Sequence, residues 1–172
     1  VLAPLIAATC MASLYGPEND DALELTLATA TSSWQLLLAR MTLVFGYNLA
    51  LALIASLGLL TILPIELLGE LILSWLGPMA FLSSLALVLS MLTSTGNAIA
   101  FAYLVWIGRW FGNIEELIPL QSTGLLRFWD VYNQFWENHS LLVVLAAALT
   151  LLGLLLVNKR KQSFFSPFSY GI

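Results

Sequence analysis

The uncharged stretch LILSWLGPMAFLSSLALVLSMLTSTGNAIAFAYLVWIG, residues 71–108, decides the fold class of this chain. A membrane-spanning helix needs about 20 apolar residues and rises about 1.5 Å per residue, so this stretch is too long to cross a bilayer once. The polar cluster TSTGN at 93–97 divides it. We predict one span over 67–92, kinked at Pro78, and another over 97–113.

The composition of the whole chain supports a membrane protein. Hydrophobic residues make up 60% of the 172 residues and charged residues 9%, and the mean hydropathy is +0.91. Soluble domains carry about 25% charged residues, so lipid is expected to be the solvent for most of this chain. The six Lys and Arg residues form no basic stripe, and no nucleic-acid partner is expected.

Further apolar runs complete the predicted architecture. One run, residues 41–63, follows Arg40, and another, residues 140–158, precedes a basic tail. The apolar start over 1–14 is shorter than a span, which predicts the end of a membrane helix whose beginning lies outside the sequence. The predicted fold is therefore all-α: a single polytopic transmembrane domain over 1–172, with four full transmembrane helices plus a partial N-terminal one.

Positive charge gives the predicted orientation. Lys159, Arg160 and Lys161 follow the last span, and cationic residues collect on the cytoplasmic side of membrane proteins. The tail over 159–172 is therefore predicted to be cytoplasmic, with the chain in the cytoplasmic membrane. Counting back across the spans places Arg40 on the same side.

The loop over 114–139 is predicted to lie outside, and it is rich in aromatic residues. Trp129, Tyr132 and Trp136 recur near helical spacing, and such rings favour the membrane interface. We predict these three residues and the three cations of the tail as membrane-interface anchors. The loop is interpreted either as a helix lying along the outer leaflet or as an ordinary aromatic belt at the end of a span.

The segment over 18–40 is the amphipathic part of the chain. Apolar residues recur on one side of a helix built from it; they are Leu23, Leu27, Ala30, Trp34 and Leu38. We predict a cytoplasmic amphipathic helix, or two short helices broken near TATSS at 29–33, leading into a span at Arg40. Two interpretations are open: a lead-in helix that lies on the membrane, or a docking element for a soluble partner.

The same segment resembles the cytoplasmic segment of ABC-2-type transporter permeases. The resemblance is carried by LELTLATATSSWQLLLARMTLVFGYNLAL, residues 23–51, although Ala30 stands where the family commonly has Pro. The residues that occupy the places of the family pattern are Glu24, Leu25, Leu27, Ala28, Thr29, Ser32, Leu36, Leu37 and Arg40. The layout is similar too: a span end, this segment, four spans, an outer aromatic loop before the last span and a basic tail.

This resemblance implies the membrane permease subunit of an ABC exporter in a bacterial inner membrane. ATP and Mg would bind to a separate ATPase subunit, and the permease would form a homodimer or pair with a second permease. Docking to the ATPase is expected at Glu24, Thr29, Thr31, Ser32 and Trp34. The alternative is a non-transporting structural membrane subunit of a larger membrane complex.

The residues give no indication of chemistry within the chain itself. No Gly-rich loop ends in Gly-Lys-Ser or Gly-Lys-Thr, so ATP hydrolysis is expected on another chain. Cys10 and His139 are each alone, so neither a disulfide nor a His and Cys metal site is predicted. The chain is predicted not to be an enzyme and to hold no cofactor of its own.

Polar residues within the predicted spans are few. Asn48 lies in the run that follows Arg40, and three serines lie in the next span; they are Ser83, Ser84 and Ser90. Because small and hydroxyl side chains let helices pack closely and hydrogen-bond to each other, helix packing is preferred over a substrate path.

Overall fold

A computed structural model describes residues 2–14, 33–59, 64–111 and 131–165 of the chain, and every regular element within these ranges is helical. The labelled helices are α1 (Ala3–Ala12), α2 (Ser33–Leu59), α3 (Leu68–Leu92), α4 (Thr95–Phe111) and α5 (His139–Phe165). A 3-10 turn, Ile65–Leu67, leads into α3. Residues 131–137 form a further helical segment directly before α5. The predicted all-α class is confirmed.

Helix α3 is the centre of the bundle. Of its membrane-length window 61% is buried, against 17% for α2 and 22% for α5. The reason is that α1, α4 and α5 all pack against α3. Helices α2 and α5 therefore present most of their apolar surface to whatever surrounds the bundle.

Small residues allow α1 to approach α3 closely. Ala7, Ala8 and Ala12 are fully buried, and small side chains permit tight contact between membrane helices. Helix α1 also reaches α4, because the Thr9 hydroxyl lies 3.4 Å from the Tyr103 hydroxyl.

Two apolar clusters fix the relative directions of the helices. The first turns of α2 pack against the last turns of α1, α3 and α5 in a methionine cluster, whose buried members are Met11, Leu37, Met41, Leu87, Met91 and Val157. Further along α2, Ala52 packs with Trp75 and Met79 from the first half of α3. Helix α2 is therefore antiparallel to α3, while α5 runs parallel to α3.

Among the described residues, three helices are long and apolar enough to cross a membrane: Trp34–Leu59, Ile65–Leu92 and His139–Lys159. Two apolar helices are shorter, Ala3–Ala12 and Thr95–Gly108. These features fit a membrane protein. The count of four full spans stays a prediction.

The junction between α3 and α4 lies where the polar cluster TSTGN predicts it. Thr93 leaves the helical region with φ −125° and ψ −124°, and α4 begins at Thr95, slightly before the predicted residue 97. Pro78 is buried inside α3, which is assigned as one helix through it.

The ends of α2 and α5 differ from the predicted spans. Helix α2 begins at Ser33 and runs through Arg40, where the sequence predicts the start of a span. Residues 33–40 contain neither Gly nor Pro, and Leu37 is fully buried, so packing continues across the boundary. At the other end of the chain α5 runs on to Phe165, so the helix extends past the predicted limit at residue 158.

Candidate functional site

The predicted docking segment meets the described structure at the first turn of α2. Trp34 is 44% exposed, and Leu38, four residues later, is similarly exposed. Residues four apart lie on one helix face. The bundle therefore leaves Trp34 and Leu38 exposed, while Leu37, on the adjacent side of the helix, is buried in the methionine cluster.

The other predicted docking residues lie outside the described residues; they are Glu24, Thr29, Thr31 and Ser32. The proposed break near 29–33 lies mostly outside them as well. Their role in docking stays a prediction.

Helix α2 is one continuous rod from Trp34 to the far end of the bundle. It has 27 residues, which corresponds to a length of about 40 Å. Near its start, the exposed Thr42 hydroxyl donates a hydrogen bond to the Leu38 carbonyl of the same helix at 2.8 Å. The described part of α2 is therefore helical without interruption from Ser33 to Leu59.

A buried hydrogen bond joins α2 to α3 at the opposite end of this rod. Trp75 Nε1 donates to Ser56 Oγ at 3.1 Å, and Ser56 Oγ donates to the Ala52 carbonyl at 2.8 Å. Both side chains are buried. The contact matters because an unpaired indole N–H in this position would carry an uncompensated desolvation cost.

A cavity of about 540 Å³ lies between α1, α2 and α3. Its volume is in the range of small-molecule sites in proteins. One stripe of α2 provides most of its wall, and α1 and α3 close it from two sides. The lining residues are Leu2, Ala3, Ile6, Asn48, Leu51, Ala52, Ala55, Ser56, Leu59, Leu71 and Trp75.

Asn48 is a polar lining residue at the end of the α2 stripe that is nearer to Arg40. It is only 6% exposed, and its Nδ2 donates to the Val44 carbonyl at 2.8 Å. A carbonyl can only accept, so the amide orientation is fixed and Oδ1 points away from Val44. The sequence predicts a helix-packing role for Asn48, whereas the hydrogen bond that holds its side chain lies within its own helix.

Two of the predicted interface anchors lie in the 131–137 segment, which packs on the bundle. Trp136 is 1% exposed and is surrounded edge-on by four other rings. The ring centroids lie 5.3 to 6.1 Å from that of Trp136, and the rings belong to Phe81, Trp106, Tyr132 and Phe135. The segment thus inserts a large side chain between α3 and α4. Anchoring in the membrane interface stays a prediction for these residues.

Tyr132 closes this aromatic cluster against α4. Its hydroxyl donates to the Val105 carbonyl. Gly108 leaves room for it, because a Cβ added at Gly108 would lie 3.0 Å from the Tyr132 hydroxyl oxygen. Glycine at this place therefore allows the 131–137 segment to approach α4.

The remaining anchors lie elsewhere. Trp129 is outside the described residues, and Lys159 is exposed near the end of α5. Arg160 and Lys161 lie in the same helix, which ends at Phe165.

Hydroxyl groups link α3 to α5, as the sequence predicts for helix packing. Ser84 Oγ and Thr150 Oγ1 lie 3.1 Å apart. Ser90 donates instead to the Leu87 carbonyl within α3. Ser83 Oγ is buried and makes no hydrogen bond within the described residues.

No group of three or more His, Cys, Asp and Glu residues that would hold a metal ion occurs within the described ranges.

Comparison of the whole chain with protein-family models, curated proteins and solved structures finds no match.

Proposed function

We propose that the chain is the membrane permease subunit of an ABC-2-type exporter. The proposal rests on the resemblance over residues 23–51 and on a helical architecture suited to a membrane. The substrate would cross the membrane with energy from ATP that a separate subunit hydrolyses. The chain would act as a homodimer or with a second permease, and its C-terminus would be cytoplasmic.

The continuity of α2 is the observation that carries this proposal. A coupling segment must transmit movement from a soluble ATPase into the membrane. Helix α2 has no break at Arg40, and it connects the exposed Trp34 directly to the cavity wall at Ser56. A lead-in helix separated from its span by a loop would transmit much less.

The loose packing of α2 supports a moving role. The buried share of its membrane-length window is the smallest of the three. Helix α3 is held on several sides, so among the three helices of spanning length α2 can shift with the least loss of buried surface. We propose that closure of the ATPase subunits displaces the first turns of α2 and that its far end changes the opening of the cavity.

Affinity purification of the full-length protein from its native membrane tests this proposal. The expected result is a stoichiometric ATPase that carries a Walker phosphate-binding loop, identified by mass spectrometry. Other membrane subunits without such an ATPase would contradict the exporter proposal and favour the structural-subunit alternative.

A further inference from the structure

We infer that the cavity between α1, α2 and α3 is a binding site for a neutral aliphatic molecule that carries a hydroxyl group and enters from the bilayer. The ligand's chain would lie along α2, and its hydroxyl would donate to Asn48 Oδ1. This site does not depend on the exporter proposal and would exist in a structural subunit as well.

The shape of the cavity fits an extended chain. Its wall on α2 repeats at helical spacing from Asn48 to Leu59, which is roughly 16 Å along the helix axis. The α1 wall, including Ile6, is apolar, and Trp75 of α3 contributes a flat ring. The site is thus a long apolar slot rather than a round pocket.

The lining selects a neutral ligand. None of the lining residues is charged, and an unpaired charge in such surroundings is strongly disfavoured. The polar groups of Trp75 and Ser56 already bond to each other, so they offer little to a ligand. Asn48 is therefore the lining residue that recognises the polar group of the ligand.

Asn48 offers an acceptor. Its Nδ2 uses one of its two hydrogens on the Val44 carbonyl, and Oδ1 makes no hydrogen bond to any described residue. The residue is more than nine-tenths buried and lines the cavity. An acceptor among apolar side chains gains from a donor that reaches it, and a ligand hydroxyl is such a donor.

The bilayer is the natural source of the ligand. Several lining residues are partly exposed, including Ile6, Leu51 and Leu59. Apolar residues on the other side of α2 are exposed as well, for example Leu43 and Ile54. A molecule dissolved in lipid can therefore reach the slot sideways without crossing water.

Photolabelling of the full-length protein in lipid nanodiscs tests the inference. The probes are azioctanol, a photoreactive aliphatic alcohol, and azioctane, the same chain without the hydroxyl. Adducts are mapped by mass spectrometry. We expect azioctanol adducts to concentrate on Leu51, Ala55 and Trp75, and to decrease when octanol is added as a competitor.

Two variants separate the hydroxyl contact from the apolar slot. Asn48→Leu is expected to lower the ratio of azioctanol to azioctane labelling by about fivefold, because one hydrogen bond is lost, while azioctane adducts persist. Ala55→Trp is expected to fill the slot and to remove both labels. Ala50→Trp is the matched control, since it places the same ring on an exposed part of α2 outside the lining.

Three results would overturn the inference. The first is adducts spread evenly over exposed residues such as Leu43 and Leu155. The second is an unchanged labelling ratio in a folded Asn48→Leu variant. The third is equal labelling of the Ala55→Trp and Ala50→Trp variants. Persistent azioctane labelling of Asn48→Leu shows that the variant retains its cavity.

Discussion

The indole of Trp136 lies edge-on to the indole of Trp106, with ring centroids 5.3 Å apart and an interplanar angle of 85°. This contact joins the 131–137 segment to α4. Edge-to-face pairs contribute about 0.5 to 1.5 kcal/mol beyond the burial of their area, and Trp136 makes several. The segment before α5 is therefore held by its aromatic side chains.

We predict that Trp136→Ala strongly destabilises the protein. Removing a fully buried aromatic ring leaves a cavity and costs about 3 kcal/mol or more. The apparent melting temperature in mild detergent measures the effect. Trp34→Ala is the matched control, because the ring of Trp34 is 44% exposed, and it should leave the melting temperature close to that of the wild type. Equal melting temperatures for the two variants would refute the packing described for Trp136.

The approach of Tyr132 to Gly108 gives a second prediction. Gly108→Ala crowds the Tyr132 hydroxyl, and overpacking of this kind costs about 1 to 3 kcal/mol. Tyr132→Phe removes the hydroxyl, so Gly108→Ala should cost less in that background than alone. Comparison of the melting temperatures of the single and double variants measures this coupling.

Gly46→Ala is the control for that series. A Cβ at Gly46 meets no atom within 4 Å, and replacing a helical Gly by Ala favours the helix by about 0.5 to 1 kcal/mol. Its melting temperature should be unchanged or higher. Additive effects of Gly108→Ala and Tyr132→Phe would contradict the predicted contact.

The hydrogen bond between Trp75 and Ser56 gives a third prediction. Ser56→Ala leaves the indole N–H buried without an acceptor, which costs about 1 to 3 kcal/mol. Trp75→Phe removes the donor, so Ser56→Ala should then be nearly neutral. Ser74→Ala is the matched control, since Ser74 is exposed. A Ser56→Ala penalty that persists fully in the Trp75→Phe background would show that the hydrogen bond is not its cause.

The sequence predicts the helical membrane class and the break between α3 and α4 because both depend on local composition. A long uncharged run needs lipid around it. The polar residues after Leu92 interrupt the helix whatever its neighbours in the bundle are. The predicted boundary at residue 97 and the observed start at Thr95 therefore agree closely.

Two features could not be predicted because they depend on contacts between distant residues. The spacing of Tyr132 and Trp136 indicates an apolar helix face, but a lipid interface and the interior of a bundle are both apolar. Likewise, Arg40 suggests the end of a span, yet a long cationic side chain can lie along a helix without ending it. Only the packing of Leu37 and Met41 shows that α2 continues there.

The cavity illustrates the same limit. Asn48, Ser56 and Trp75 are separated in the sequence by apolar residues, and nothing in the pattern brings them together. Their spacing along α2 indicates one face for Asn48 and Ser56. The position of Trp75 opposite that face depends on how α3 packs against α2, which the sequence pattern does not give.

The measurement that tests the exporter account most directly is the binding and stimulation of the ATPase subunit by variants of two predicted docking residues, Glu24 and Trp34. Glu24→Lys and Trp34→Asp are predicted to abolish ATPase retention and stimulation while leaving the melting temperature unchanged. Glu66→Lys and Ile65→Asp are the controls, because they make the same charge reversal and introduce the same carboxylate at exposed positions just before α3, and they should retain the wild-type ATPase. Wild-type coupling in both Glu24→Lys and Trp34→Asp would contradict the account.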